Sequence, residues 1–173
     1  MKMSTQFKYL FTPIEIGPIT VRNRVYTPPL HAAYAENGYP VEQYAYYHAE
    51  KAKGGVGLTI VEGSIIHPTS EYHPVTPDSV NLYEERVIPG LKKMADMVHE
   101  HGAKILCQLW HAGHHAYPAL SYLPSLSCSP VPSVVTRFTP KELEQEEVDE
   151  LIDAFGRSAK NVVAGGLDGV QLH

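Results

Sequence analysis

Four short stretches of this chain place polar, chemistry-bearing side chains directly after apolar, strand-forming runs: Pro28-Pro29-Leu30-His31, Glu62-Gly63, Gln108-Leu109-Trp110-His111 and His173. Prolines hold a loop rigid beside a planar ligand, and a glycine at position 63 removes a side chain so that something flat can approach the backbone. A buried glutamine carries both donors and an acceptor, which suits Gln108 to the N3–H and O2 edge of an isoalloxazine ring. Each residue also has a plainer reading: Gln108 as a satisfied strand-end amide, Gly63 as a turn glycine. His111, His114 and His115, with His31 and His173 at neighbouring strand ends, raise a second chemistry, since imidazoles clustered at a barrel mouth can hold zinc in a metal-dependent hydrolase. No carboxylate accompanies them at a metal-ligand spacing, and a solvated histidine-rich loop accounts for them equally, so no metal site is assigned.

The elements that must position these groups alternate between strand and helix. Ile14-Glu15-Ile16 and Ile19-Thr20-Val21 read as a small hairpin around Gly17-Pro18, followed by a first buried strand at Val25-Tyr26-Thr27. Asn37-Gly38 marks a turn, and Pro40 suits the first position of a helix running to about Lys53, where Gly54-Gly55 ends it. Val56–Val61 is a continuous apolar run of the kind buried on both faces in a parallel sheet. A second helix spans about Glu84 to His101, with Val87, Ile88, Leu91, Met94, Ala95 and Val98 at helical spacing. Ala103–Trp110 forms the third strand, and residues 111–138 make a Pro/Ser-rich excursion of functional length. Thr139-Pro140-Lys141-Glu142 has the form of a helix start. Val148, Leu151, Ile152, Phe155, Ala159, Val162 and Val163 would line one face of that helix, and Asp168–His173 is the fourth strand. This order predicts a parallel α/β fold, either a small doubly wound sheet or a partial TIM (β/α)8 barrel with four strands and three helices preceded by a β-hairpin. A doubly wound nucleotide fold calls for a Gly-rich phosphate loop after the first strand, where this chain has Pro28-Pro29-Leu30-His31, so the barrel is favoured.

With 173 residues, 43% hydrophobic and 19% charged, the chain has the composition of one globular domain. A net charge of −5 and no lysine or arginine cluster argue against nucleic acid as a partner. No apolar run approaches the roughly 20 residues that cross a bilayer, so no membrane span is expected. The first residues lack a signal-peptide core, and Cys107 and Cys128 are too few for a disulfide framework, which leads to the expectation of a reducing cytoplasm. Cys107 reads as a core residue, and Tyr34, Tyr44, Tyr46 and Tyr47 as an aromatic group that mostly packs between helices. The acidic run Glu142 to Glu150 reads as first-turn residues complementing a helix dipole.

The same segments carry a resemblance. Ile14–Gly17 through Asn23-Arg24-Val25, Pro28-Pro29-Leu30, Gly54–Leu58 through Val61-Glu62-Gly63, Gly102-Ala103-Lys104 through Gln108–Gly113, and Gly166–His173 together resemble the successive signatures of the NADH:flavin oxidoreductase/old yellow enzyme family, from about residue 8 to the last residue. The resemblance implies an FMN-dependent ene reductase, close to the 2,4-dienoyl-CoA reductase branch, that passes hydride from NADH or NADPH to an activated alkene, an enone or dienoyl thioester. It places Pro28, Pro29 and Leu30 along the flavin, His31 near its O4 and N5, Gly63 and Gln108 at its pyrimidine side, and His173 as the first of a His-x-x-Asn/His pair that polarises a substrate carbonyl. His31 stands where covalently flavinylated relatives have cysteine. Gly63 and His173 stand where amine-oxidising relatives have an aromatic residue and a tyrosine, and His114-His115 where many relatives continue with arginine. On this view residues 1–173 are the amino-terminal half of an FMN-binding barrel, truncated after its fourth strand. The second member of the histidine pair, a tyrosine proton donor and the flavin phosphate loops would lie beyond. Two expectations follow for such a half-barrel: an inactive fragment, or association with a partner chain, including a homo-oligomer, that covers its open strand edges.

Overall fold

The computed structural model describes residues 7–70 and 79–173. Strand β1 (Ile14–Ile16) and strand β2 (Ile19–Val21) form the antiparallel hairpin read from the sequence. Gly17 turns it with a φ of +56°, a value that side chains disfavour. The hairpin presses Val21 onto Leu58 and Ile60, with Ile14, Ile19 and Leu106 around them.

Next come β3 (Tyr26–Thr27), β4 (Ala35–Glu36), β5 (Tyr39–Pro40) and helix α1 (Glu42–Lys53). Asn37 and Gly38 both have positive φ, as a tight two-residue hairpin between β4 and β5 demands. Pro40 therefore differs from its expected place at a helix start. It pairs with Ala35 across that hairpin, and α1 begins two residues later after an extended Val41.

Strand β6 (Leu58–Ile65) follows, then, after a 3-10 turn at Glu85–Val87, helix α2 (Ile88–His99), and then strand β7 (Lys104–Trp110). Helix α2 buries Leu91, Met94, Ala95 and Val98, the face expected from their spacing. The excursion after β7 holds a one-turn helix α3 (Pro118–Ser121) and folds back through β8 (Leu126–Ser127) to pair with β9 (Lys141–Glu142). Here the structure corrects the expected helix start at Thr139. Backbone bonds from Lys141 N–H to Ser125 and from Leu143 N–H to Ser127 hold this segment extended. Helix α4 (Gln145–Ala164) instead starts from a capping box between Glu144 and Glu147. Its inner face carries Ala154, Ser158 and Val162, while Ile152 and Val163 turn outward at 63% and 66% exposure, against the expected face. Strand β10 (Gly169–Leu172) completes the order.

The central sheet runs β10-β7-β6-β3, all parallel. Along β7 the side chains alternate: Ile105, Cys107 and Leu109 are fully buried in the core shared with the helices, whereas Leu106, Gln108 and Trp110 are half-buried on the opposite face. One irregularity shapes everything that follows. Val61 pairs with Cys107 but Ser64 with Leu109, so Glu62 and Gly63 together oppose Gln108. This β-bulge lengthens the strand beyond its expected end at Val61 and re-aims two residues at the sheet's carboxyl end.

Candidate active site

At the carboxyl ends of the parallel strands lies an open cavity of about 410 Å³, within the size range of small-molecule and cofactor sites. Its walls bring together Pro29, His31, Gly63, Gln108 and His173, residues from four separate stretches of the chain that the sequence singled out. Pro28 and Leu30 belong to the same loop but do not line the cavity, and Leu30 is 62% exposed. The remaining wall comes from Glu62, Ser79 and Trp110, to which no role was assigned from the sequence. A lone carboxylate closing an apolar strand run was a signal for Glu62, since buried carboxylates are rare without a purpose. Ser79 carried none.

Each wall residue has a local cause. Gln108 points off the inner face of β7, and its Nε2–H donates to Oε1 of Gln171 on the neighbouring strand at 2.8 Å, the two residues being register partners. A Cβ on Gly63 would stand 3.2 Å from Oε1 of Gln108 and 3.3 Å from Cβ of Trp110, so the missing side chain keeps this wall open. His173 is held by its backbone N–H on the Leu109 carbonyl at 2.9 Å.

Behind the wall sits Glu62, almost fully buried. Its Oε2 accepts the backbone N–H of Ala32 and lies 3.3 Å from Nδ1 of His31. Burial raises the Glu62 pKa, opposed by the Ala32 N–H and the charge of His31. Tyr44, buried on α1, has its hydroxyl pushed well above the usual range by burial and then by the charge of Glu62. The Tyr44 hydroxyl and Oε1 of Glu62 are both buried, and Tyr44 helps to hold the carboxylate's pKa down. Tyr44 also stacks on His48, whose Nδ1 meets the Thr59 hydroxyl at 2.7 Å and whose pKa burial lowers to about 3. Of the other tyrosines in the group, Tyr34 and Tyr47 make ring contacts with Tyr44, and Tyr46 is exposed.

The histidines after β7 face hydroxyls. Nε2 of His111 meets Thr69 Oγ1 at 3.0 Å, the same hydroxyl that Nδ1 of His67 meets at 2.7 Å, and Nδ1 of His115 meets Ser133 Oγ at 2.8 Å. Burial, then the neighbouring His67, lowers the His111 pKa to about 4. Among the described residues no three His, Cys, Asp or Glu side chains converge as a metal-ligand set. Cys107 is fully buried, and burial pushes its thiol up to about 12, the state of a core residue. No helix among the described residues is long and apolar enough to cross a membrane.

A parallel β/α sheet with its cavity at the carboxyl ends of the strands is the architecture of one side of a TIM-barrel enzyme. Residues 9–173 match the family described as NADH:flavin oxidoreductase / NADH oxidase, and the chain belongs to it. Among its relatives, an N,N-dimethylglycine/sarcosine dehydrogenase of Chromohalobacter salexigens is 41% identical over 96% of this chain, and a metal reductase of Desulforamulus reducens is 38% identical over 94% of it. The chain spans about a quarter, 24%, of the length of each. Among solved structures, a 2-naphthoyl-CoA reductase in complex with 2-naphthoyl-CoA superposes with a TM-score of 0.87 at 26% identity, covering 96% of this chain and 27% of that one. These likenesses agree with the partial-barrel fold.

Proposed function

We propose that this chain supplies the first four β/α units of a barrel that works as an FMN-dependent oxidoreductase, with NADH or NADPH as donor and an activated alkene, an enone or dienoyl thioester, as acceptor. The observation that carries the proposal is the single cavity uniting Pro29, His31, Gly63, Gln108 and His173. Its residues suit a flavin: Gly63 leaves a flat opening that a Cβ would narrow against Gln108 and Trp110, and Gln108 offers an amide to a heterocycle edge. Pro29 and His31 would line the ring, with Pro28 and Leu30 shaping the same loop from outside the cavity, Gly63 and Gln108 would take its pyrimidine side, and His173 would face the substrate. When bound, FMN supplies hydride chemistry that side chains lack.

The chain's own residues contribute binding and polarisation. Proline and glycine shape a rigid slot, and the amide of Gln108, braced by Gln171, orients the ligand in its plane. An imidazole N–H at His173 would hydrogen-bond a substrate carbonyl oxygen and stabilise the negative charge that develops there. Gly63 and His173 favour alkene reduction over amine oxidation, because the resemblance assigns amine-oxidising relatives bulkier residues at both positions. The thioester in the naphthoyl-CoA reductase complex supports an acyl thioester as one acceptor class.

The test is an absorbance titration of the purified chain with FMN, followed by NADH or NADPH and then by an enone, a dienoyl thioester or sarcosine. A perturbed flavin band near about 450 nm, bleached by nicotinamide and restored by the alkene, is the expected result. An unperturbed band overturns the cofactor site, and restoration by sarcosine alone overturns the alkene assignment. Sedimentation during the same titration reads whether flavin binding goes with association of chains.

A further inference from the structure

The turn after β6 meets the loop after β7 through two adjacent hydroxyls. Thr69 and Ser70 sit on the 3-10 turn Pro68–Ser70 and are both buried. Ser70 Oγ accepts the Ala112 N–H at 2.8 Å and donates to the Trp110 carbonyl at 3.4 Å. Thr69 Oγ1 stands between two imidazoles, 3.0 Å from Nε2 of His111 and 2.7 Å from Nδ1 of His67. Backbone donors settle which way these bonds run. The Gly113 N–H donates to Nδ1 of His111 at 3.1 Å, and the Thr69 N–H to Nδ1 of His67 at 3.3 Å. A backbone N–H can only donate, so both Nδ1 atoms are acceptors and each neutral ring carries its hydrogen on Nε2. His111 must then donate from Nε2 to Thr69, and the single hydroxyl hydrogen of Thr69 goes to His67. Burial favours the neutral rings, lowering the His111 pKa to about 4 and that of His67 below its usual value, with Glu150 and Arg157 acting on His67 in opposite senses.

We propose that Thr69 is a positioning residue whose hydroxyl forms a one-way hydrogen-bond chain, from His111 Nε2–H to Thr69 and from Thr69 O–H to His67 Nδ1, locking both imidazoles as Nε2–H tautomers. The chain ties the turn after β6 to the loop that follows Trp110, a wall residue of the cavity. Its importance to function rests on the reading of that cavity as a ligand site. A hydroxyl that accepts one bond while donating another is polarised by both, so the bridge is stiffer than two separate contacts. It is not a proton relay: Nδ1 of His111 ends on the Gly113 backbone N–H, which closes the chain at that side. Removing the hydroxyl while keeping the shape, as in Thr69→Val, would face Nε2–H of His111 with a methyl group, and the loop must shift to give that donor a new partner.

Nitrogen-15 NMR of the histidine rings, recorded on the full chain above the imidazole titration range, reads the tautomers, with His67→Asn and His111→Asn giving the assignments. In the unaltered protein the Nε2–H form should exceed the Nδ1–H form about tenfold in both rings, the bias that one net hydrogen bond gives. Thr69→Val should cut that excess about threefold or more. Trp110 is the chain's one tryptophan, so intrinsic fluorescence reports the cavity wall directly. Its emission should move to longer wavelength in Thr69→Val and return in Thr69→Ser, which keeps the hydroxyl. A predominant Nδ1–H form in either ring of the unaltered protein overturns the proposal. So do unchanged ratios or an unmoved emission in Thr69→Val, or a Thr69→Ser protein that behaves like Thr69→Val. Should Thr69→Val fail to fold, the unaltered spectrum decides: Nε2–H in both rings upholds the chain and Nδ1–H in either overturns it. None of these readouts needs a ligand, so a failure to bind FMN would remove the cofactor reading and leave the bridge standing.

Discussion

The two ends of the parallel sheet are built on opposite terms. At the amino ends of the strands, charged side chains are tied to several partners within the fold, although Nε of Arg22 is buried without one. The guanidinium of Arg22 reaches the carbonyls of His101 at 2.5 Å, Ala52 at 2.7 Å and Val56 at 2.8 Å. Asp168 takes Lys104 and His99 at 2.7 Å each and the Ile105 N–H at 2.9 Å. At the carboxyl ends, Glu62, His31 and His173 border the open cavity instead. Polar groups with many partners inside the fold contribute stability, and polar groups at a cavity wall are placed to meet a ligand. In barrels of this kind the division between a stabilising face and a working face is general, and here it is visible atom by atom.

Breaking the amino end should cost the most. Arg22→Ala strips three backbone carbonyls of a charged donor and should lower unfolding free energy by about 3 kcal/mol, read by urea denaturation. Acidification separates two buried groups by pH window. Because burial holds the folded pKa of His48 near 3, below its usual 6.5, the unfolded chain binds the extra proton. That contribution is intact above pH 6.5 and is lost as pH falls, by about 2 kcal/mol between pH 7 and 5. Asp168 acts later. Burial raises its pKa, but Lys104, His99 and the Ile105 N–H more than offset this and leave it below 3.8. Its stabilisation is present above that value and is lost only as pH falls further. Asp168→Asn should therefore cost about 1.5 kcal/mol at pH 7 and flatten the most acidic part of the profile. A stability loss confined below pH 4 would instead credit Asp168 alone.

Much of this contrast was legible before any coordinates. The chain order of the main strands, the core face of α2, and five of the eight residues that line the cavity follow from hydrophobic period and from what stands after each apolar run. The misreadings share one physical origin, tertiary pairing that overrides a local signal. Thr139-Pro140-Lys141-Glu142 has the form of a helix start, yet backbone bonds to Ser125 and Ser127 keep it extended. Glu144 and Glu147 supply the cap instead. Pro40 fits a first helical turn but serves the hairpin next to it. Glu62 is the instructive case, named at its strand end but assigned no role: its burial depends on a bulge, and a bulge is a relation between two strands that neither strand's sequence contains by itself.

The finest test of the contrast is Gly63→Val. At the amino end a new side chain would displace paired groups, but here it would project among Gln108 and Trp110, which already border open space. The added Cβ sits 3.2 Å from Oε1 of Gln108, so the amide must give by a few tenths of an ångström and the valine methyls must occupy the cavity. Folding stability should change by no more than about 1 kcal/mol, as for substitutions that avoid the core. FMN affinity should fall about tenfold, near 1.4 kcal/mol, measured by quenching of flavin fluorescence. A variant as destabilised as Arg22→Ala would mean that the cavity wall is part of the load of the fold. Unchanged flavin affinity would mean that the opening at Gly63 serves no bound ring.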